Sequence, residues 1–147
     1  MMTLNVEHIF HAARDFQTGS EILADRFGQA VFPLRSTVVT AAFSVELYLK
    51  CLLLLTAGSI PRSHKLVDLH DALPSDTKGL VKAKYVEVAP DSGELRDILL
   101  EHNATFVEWR YLFEKQSGSF TLNYQPLRNV GIAFYEAVIS LRPDWKK

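Results

Sequence analysis

One cysteine, Cys51, stands in the chain of 147 residues, so no intramolecular disulfide ties it together and a reducing compartment is expected. A basic excess is also missing. Lys and Arg number 16 against 17 Asp and Glu, and the formal charge of -1 argues against a broad electrostatic grip on nucleic acid or anionic membrane. Any nucleic-acid contact must therefore be local; Lys82 and Lys84 are too few to form a basic patch. There is no glycine-rich phosphate loop, no cysteine-rich metal pattern and no serine elbow, and no repeat or low-complexity tract. The opening MMTLNVEHIF lacks a basic stretch followed by an apolar core, so no secretory signal is expected and the cytoplasm is the predicted location. The run from Val38 to Leu55 is broken by Glu46 and Lys50 and falls short of the roughly 20 apolar residues of a bilayer span, which predicts a core helix and no membrane.

What is present is hydrophobic content of 48% and aromatic content of 11%, enough for one compact domain over residues 1–147 with a real core. Val6, Ile9, Phe10, Ala13, Phe16, Ile22, Leu23 and Phe27 recur mostly every three or four residues, predicting an amphipathic helix weakened at Gly19. A second helix starts near Pro33 or Leu34 and is stopped by Gly58 and Pro61. SHKLVDLHDAL repeats Leu66, Leu69 and Leu73 on one side and predicts a short helix with Ser63 as cap and Pro74 as its end. SDTKGLVKAKYVEV suits a helix through Val81, Tyr85 and Val88, although KYVEV alone alternates like a strand; helix is the preferred reading. Asp91 followed by Glu94 resembles a capping box opening a long helix to about Lys115, with Leu95, Leu99, His102, Phe106, Trp109 and Phe113 on its buried stripe. LRNVGIAFYEAVISL predicts a last helix before a polar tail, RPDWKK. Short connections between five or six helices predict an all-α, up-and-down helical bundle.

AAFSVELYLKCLLLL holds Glu46 and Lys50 one turn apart in the most apolar stretch. Exposed, such a pair is worth about 0.2–0.5 kcal/mol and marks only the solvent edge of a helix. Between helices it becomes a determinant of the fold, because removing one partner strands a buried charge. A second polar island, FVEWRYLFE, embeds Arg110 and Tyr111 among aromatic and aliphatic residues.

The three pieces AFSVELYLKCLLLL, SHKLVDLHDALP and ATFVEWRYLFE, in this order over roughly residues 35 to 115, resemble the HEPN family of helical domains. Members are compact helical bundles, generally dimeric, and many belong to prokaryotic toxin–antitoxin or anti-phage systems. The resemblance implies a homodimer, possible RNA or nucleotide binding, and an antitoxin or operon partner protein. It also implies an interhelical polar network of Glu46, Lys50, His64, Arg110, Tyr111 and Glu114, with Glu46 held by Arg110 as well as by Lys50. His64 is equally well a surface histidine at a helix start, and Tyr111 an amphipathic packing residue.

Catalytic members are metal-independent ribonucleases with an arginine, a polar residue, four to six further residues and a histidine. RDILLEH places Arg96, Asp97 and His102 at that spacing. A histidine there would act on the ribose 2′-hydroxyl or the leaving oxygen, and the arginine on phosphate charge. Six positions on a straight helix separate the two side chains by about 120°, so convergence requires a partner chain or a bend. His102 also lies on the apolar stripe, where a core histidine is the plainer reading, and Ala104 stands where the family often has an aromatic residue. The alternative class is a non-catalytic HEPN-like module for dimerisation, partner binding or nucleotide binding. No cofactor or metal is expected: His8 and His11 lie three apart without a third ligand. Arg96, Asn103 and Arg110 recur every seven residues, which on one long helix makes an ordinary polar flank, the preferred reading, or a phosphate-facing or dimer-facing strip.

Overall fold

The computed structural model describes residues 5–26, 34–103 and 124–146. Among them the chain is helical throughout, with no strand: α1 (Val6–Ala24), α2 (Leu34–Thr56), α3 (Leu66–Asp71), α4 (Ser75–Val88), α5 (Leu95–Glu101), α6 (Tyr124–Leu141) and a closing 3₁₀ turn, Pro143–Trp145. It is an all-α helical bundle.

Helix α1 starts where Asn5 turns its side chain onto the orphan N–H groups of Glu7 and His8, at 3.0 and 3.2 Å. It runs through Gly19, where an added Cβ would make ordinary contact with Thr40 Cγ2 at 3.7 Å. Its apolar face is narrower than the periodicity implied: Phe10 and Ala13 are buried, whereas Ile22 is 62% exposed. Helix α2 ends at Thr56 and is closed off by Gly58, whose φ of +77° suits a residue without Cβ and whose N–H bonds the Leu53 carbonyl at 2.9 Å.

Pairing of Val6 with Cys51, Ala13 with Ser44 and Phe16 with Phe43 makes α1 and α2 antiparallel. Phe10 stacks on Tyr135, and Gly131 faces Gln17, so α1 is antiparallel to α6 as well, and α2 and α6 run the same way. Around Phe10 the rings of Tyr48, Tyr135 and Trp145 lie with centroids 6.2, 6.0 and 5.2 Å away. Burying each large apolar side chain contributes roughly 1.5–3 kcal/mol, so this cluster anchors the three long helices. Trp145 is only 4% exposed and carries the Arg142 guanidinium 4.4 Å from its ring centroid. Pro143–Trp145 is therefore a docked turn, contrary to the expectation of a polar tail.

By length and composition Arg35–Thr56 is apolar enough to cross a membrane, but most of its apolar window is buried inside the bundle, between α1 and α6. Cys51 lies wholly inside, where burial pushes its thiol up to about 12.

The second half departs most from the sequence expectation. Gly93 sits at φ +84° and makes Glu94 the N-cap of α5, with no side-chain cap bond, so Asp91 and Glu94 do not form a capping box. The helix then stops at Glu101 instead of reaching Lys115, with His102 at its C-cap. Asn103 turns to serve α3: its backbone oxygen accepts from Leu66 N at 3.4 Å and its side-chain oxygen from Val67 N at 2.8 Å. Helix α3 has Lys65 at its N-cap and no capping side chain of its own, so Asn103 satisfies its first N–H groups from 36 residues away. Ser63, expected as that cap, instead donates to Asp68 at 2.8 Å and accepts from Lys65 N at 3.1 Å.

Candidate functional site

Two polar clusters lie along α3, one at each end. At the start, Glu46 projects from the middle of α2 and is only 3% exposed, so it is not a solvent-edge residue. Its Oε2 accepts from Lys50 Nζ at 2.9 Å and lies 3.3 Å from His64 Nδ1. The carboxylate is enclosed, the Lys50 side chain is 19% exposed and His64 is 72% exposed, so the Lys50 ammonium and the His64 ring cover a buried anion on its solvent side. The contact fastens α2 to the segment entering α3. Arg110, Tyr111 and Glu114, assigned to the same network by the family resemblance, lie outside the described residues.

At the other end of α3, sequence reading singled out Arg96 but neither of its neighbours. Arg96 grips Asp71 with a two-pronged fork, Nε to Oδ1 at 3.1 Å and Nη2 to Oδ2 at 2.9 Å. The buried ring of His70 donates from Nδ1 to Asp71 Oδ1 at 3.1 Å. The Arg96 guanidinium and, secondarily, the His70 hydrogen bond hold the Asp71 carboxyl down at about 2, against a smaller opposing effect of burial. The signal in the sequence was the adjacent pair His70-Asp71 at the end of a short leucine-spaced helix. Only the packing of α5 on α3 brings it to Arg96.

His102 does not join this cluster. It is 5% exposed, and burial lowers its imidazole below the ordinary histidine value, opposed weakly by the Glu101 charge. Arg96 is surface-exposed and engaged with Asp71, while His102 is enclosed at the end of α5. Nor do Arg96 and Asn103 share a helical strip, because the helix has ended and Asn103 is turned onto α3; Arg110 lies outside the described residues.

A cleft of about 180 Å³ opens beside the Arg96 fork, between α4 and the start of α5. His70, Lys78, Lys82, Glu94 and Arg96 line it together with Gly79 and Leu95. Lys82 thus acts with Lys78, one helical turn away, and not with Lys84, which lies 3.8 Å from Glu87. Counting neighbours along the chain concealed this concentration of positive charge. Matched against protein-family models, curated proteins and solved structures, the chain finds no counterpart in any of the three.

Proposed function

We propose that the chain is a HEPN-like helical module of a prokaryotic toxin–antitoxin or anti-phage defence setting, cytoplasmic and dimeric, that binds partners and does not cleave RNA. The observation that carries the non-catalytic reading is the separation of the two residues on which cleavage would depend. His102 is enclosed in the bundle, while Arg96 lies on the surface with two of its N–H groups given to Asp71. A general acid or base must come within hydrogen-bond reach of the proton it moves, and an enclosed imidazole offers no such approach to a ribose hydroxyl. The polar residues near both ends of α3 instead fasten the bundle: Glu46 of α2 to His64 ahead of α3, Asp71 to Arg96, and Asn103 to the α3 N-terminus.

The test is incubation of purified protein with single-stranded and structured RNA in the presence of a chelator, alongside light scattering for mass. The expected outcome is a dimer with no cleavage at high protein concentration, and His102→Ala that lowers thermal stability without changing any RNA band. Cleavage lost in both Arg96→Ala and His102→Ala variants that keep native circular dichroism would overturn the reading in favour of a metal-independent ribonuclease.

A further inference from the structure

We propose that the cleft between α4 and α5 is a binding site for the phosphate group of a small phosphorylated ligand, with Lys78, Lys82 and Arg96 as its anion-binding side chains. This inference stands apart from the family reading and rests on four features of the cleft.

The first is charge. In a chain with a formal charge of -1, the basic side chains of Lys78, Lys82 and Arg96 all line one concavity. Two carboxylates stand near them, Glu94 in the lining and Asp71 on the far side of Arg96. Asp71 is committed to the fork, and neither Lys78 nor Lys82 takes part in an ion pair among the described residues.

The second is preorganisation. Asp71 consumes one N–H on Nε and one on Nη2 of Arg96, so three of the five guanidinium donors remain for a ligand. His70 and Arg96 both grip the carboxylate, so the guanidinium plane is set before any ligand arrives. An arginine fixed in this way, joined by two flexible ammonium groups one turn apart on α4, suits a tetrahedral oxyanion with acceptors on several sides.

The third is Gly79. It sits inside α4 with no positive φ, and an added Cβ would meet nothing within 4 Å. Neither the backbone nor packing calls for glycine at a position where almost any other residue favours the helix more. What its missing side chain does is leave the cleft wall low between Lys78 and Lys82.

The fourth is size. At about 180 Å³ the cleft is smaller than the roughly 300–1,000 Å³ of sites that enclose a complete organic ligand. It accommodates a phosphate with a short carbon segment against Leu95, and not an entire nucleotide.

The experiment is a titration of the full chain with inorganic phosphate and, separately, glycerol 3-phosphate, followed by amide chemical shifts, with chloride holding ionic strength constant. Saturable shifts centred on Lys78–Lys82 and Leu95–Arg96 are expected, stronger for the ester than for inorganic phosphate. The Lys78→Ala/Lys82→Ala double variant should weaken binding at least tenfold. Gly79→Leu should weaken it at least as much by filling the cleft, while its thermal midpoint stays level or rises because leucine favours the helix. These positions lie off the buried face of Thr77, Val81 and Tyr85, so the variants retain the fold, checked by helical circular dichroism. Shifts that do not saturate, equal displacement by chloride, or unchanged affinity in the variants overturn the proposal. Binding of a single-stranded oligonucleotide with none of either small phosphate also overturns it.

Discussion

Glu46 and Asp71 are both carboxylates held by a cation and a histidine near α3, yet one is inside the bundle and the other on its surface. The Glu46 side chain is 4% exposed and that of Asp71 is 43% exposed. Contact distances are similar at the two sites, although Glu46 is met on one oxygen and Asp71 on both, but the surroundings are not. A pair in contact with water exchanges solvent bonds for protein bonds at little net gain, whereas a buried carboxylate depends on its partner because no water can substitute. Glu46 therefore reads as a fastening of the fold, and Asp71 as a residue that sets the orientation of Arg96.

The sharpest way to break this comparison is to remove one cation from each site. Lys50→Met keeps the packing of the stem while stranding the Glu46 carboxylate with only the exposed His64, and should cost stability near the lower end of roughly 3–5 kcal/mol. Adding Glu46→Leu should recover most of that loss in urea unfolding, since no charge is then left buried. Arg96→Gln should leave the unfolding midpoint close to that of the parent. Equal losses at the two sites would mean that burial is not what separates them.

A smaller effect is expected at His102. Burial lowers its proton affinity, so below the ordinary value of 6.5 the unfolded chain binds a proton that the native chain refuses, and stability falls with falling pH. His102→Leu should flatten that part of the pH–stability curve relative to the parent, measured as the difference between the two. If both curves keep the same slope, His102 titrates normally and is open to solvent.

The smallest change concerns Asp71 itself. Its depressed titration makes its contribution to stability complete above the ordinary value of 3.8 and lost as pH falls through about 2. Arg96→Gln should raise the Asp71 midpoint toward 3.8, followed through its side-chain carboxyl carbon by NMR. A midpoint unmoved by the substitution would show that the fork is absent in solution.

Much of the architecture was legible from apolar spacing. The bounds of α2 follow from an apolar run ending at Gly58, and α4 emerged from the repeat of Val81 and Tyr85 despite the strand-like KYVEV. The long helix through Arg96 and His102 was not legible, because an unbroken apolar stripe does not reveal that Asn103 will leave the helix to cap α3. Two N–H groups at another helix end, brought close by the chain's path, competed for that residue and won. Trp145 was missed for a related reason: the polar neighbours Arg142, Asp144 and Lys146 masked one large ring that fits beside Phe10. The candidate cleft was the least legible part. Lys78 and Lys82 lie on one helix, Arg96 on another and His70 on a third.

Local patterning alone determined the helical class, the extent of α2 and the oddity of Glu46 and Lys50, because each of these depends on residues within a few turns of one another. Which carboxylate is dry, which arginine is held in place and where α5 ends depended on the approach of distant segments. Burial and long-range hydrogen bonds are properties of neighbours in space, and only the folded chain assigns them.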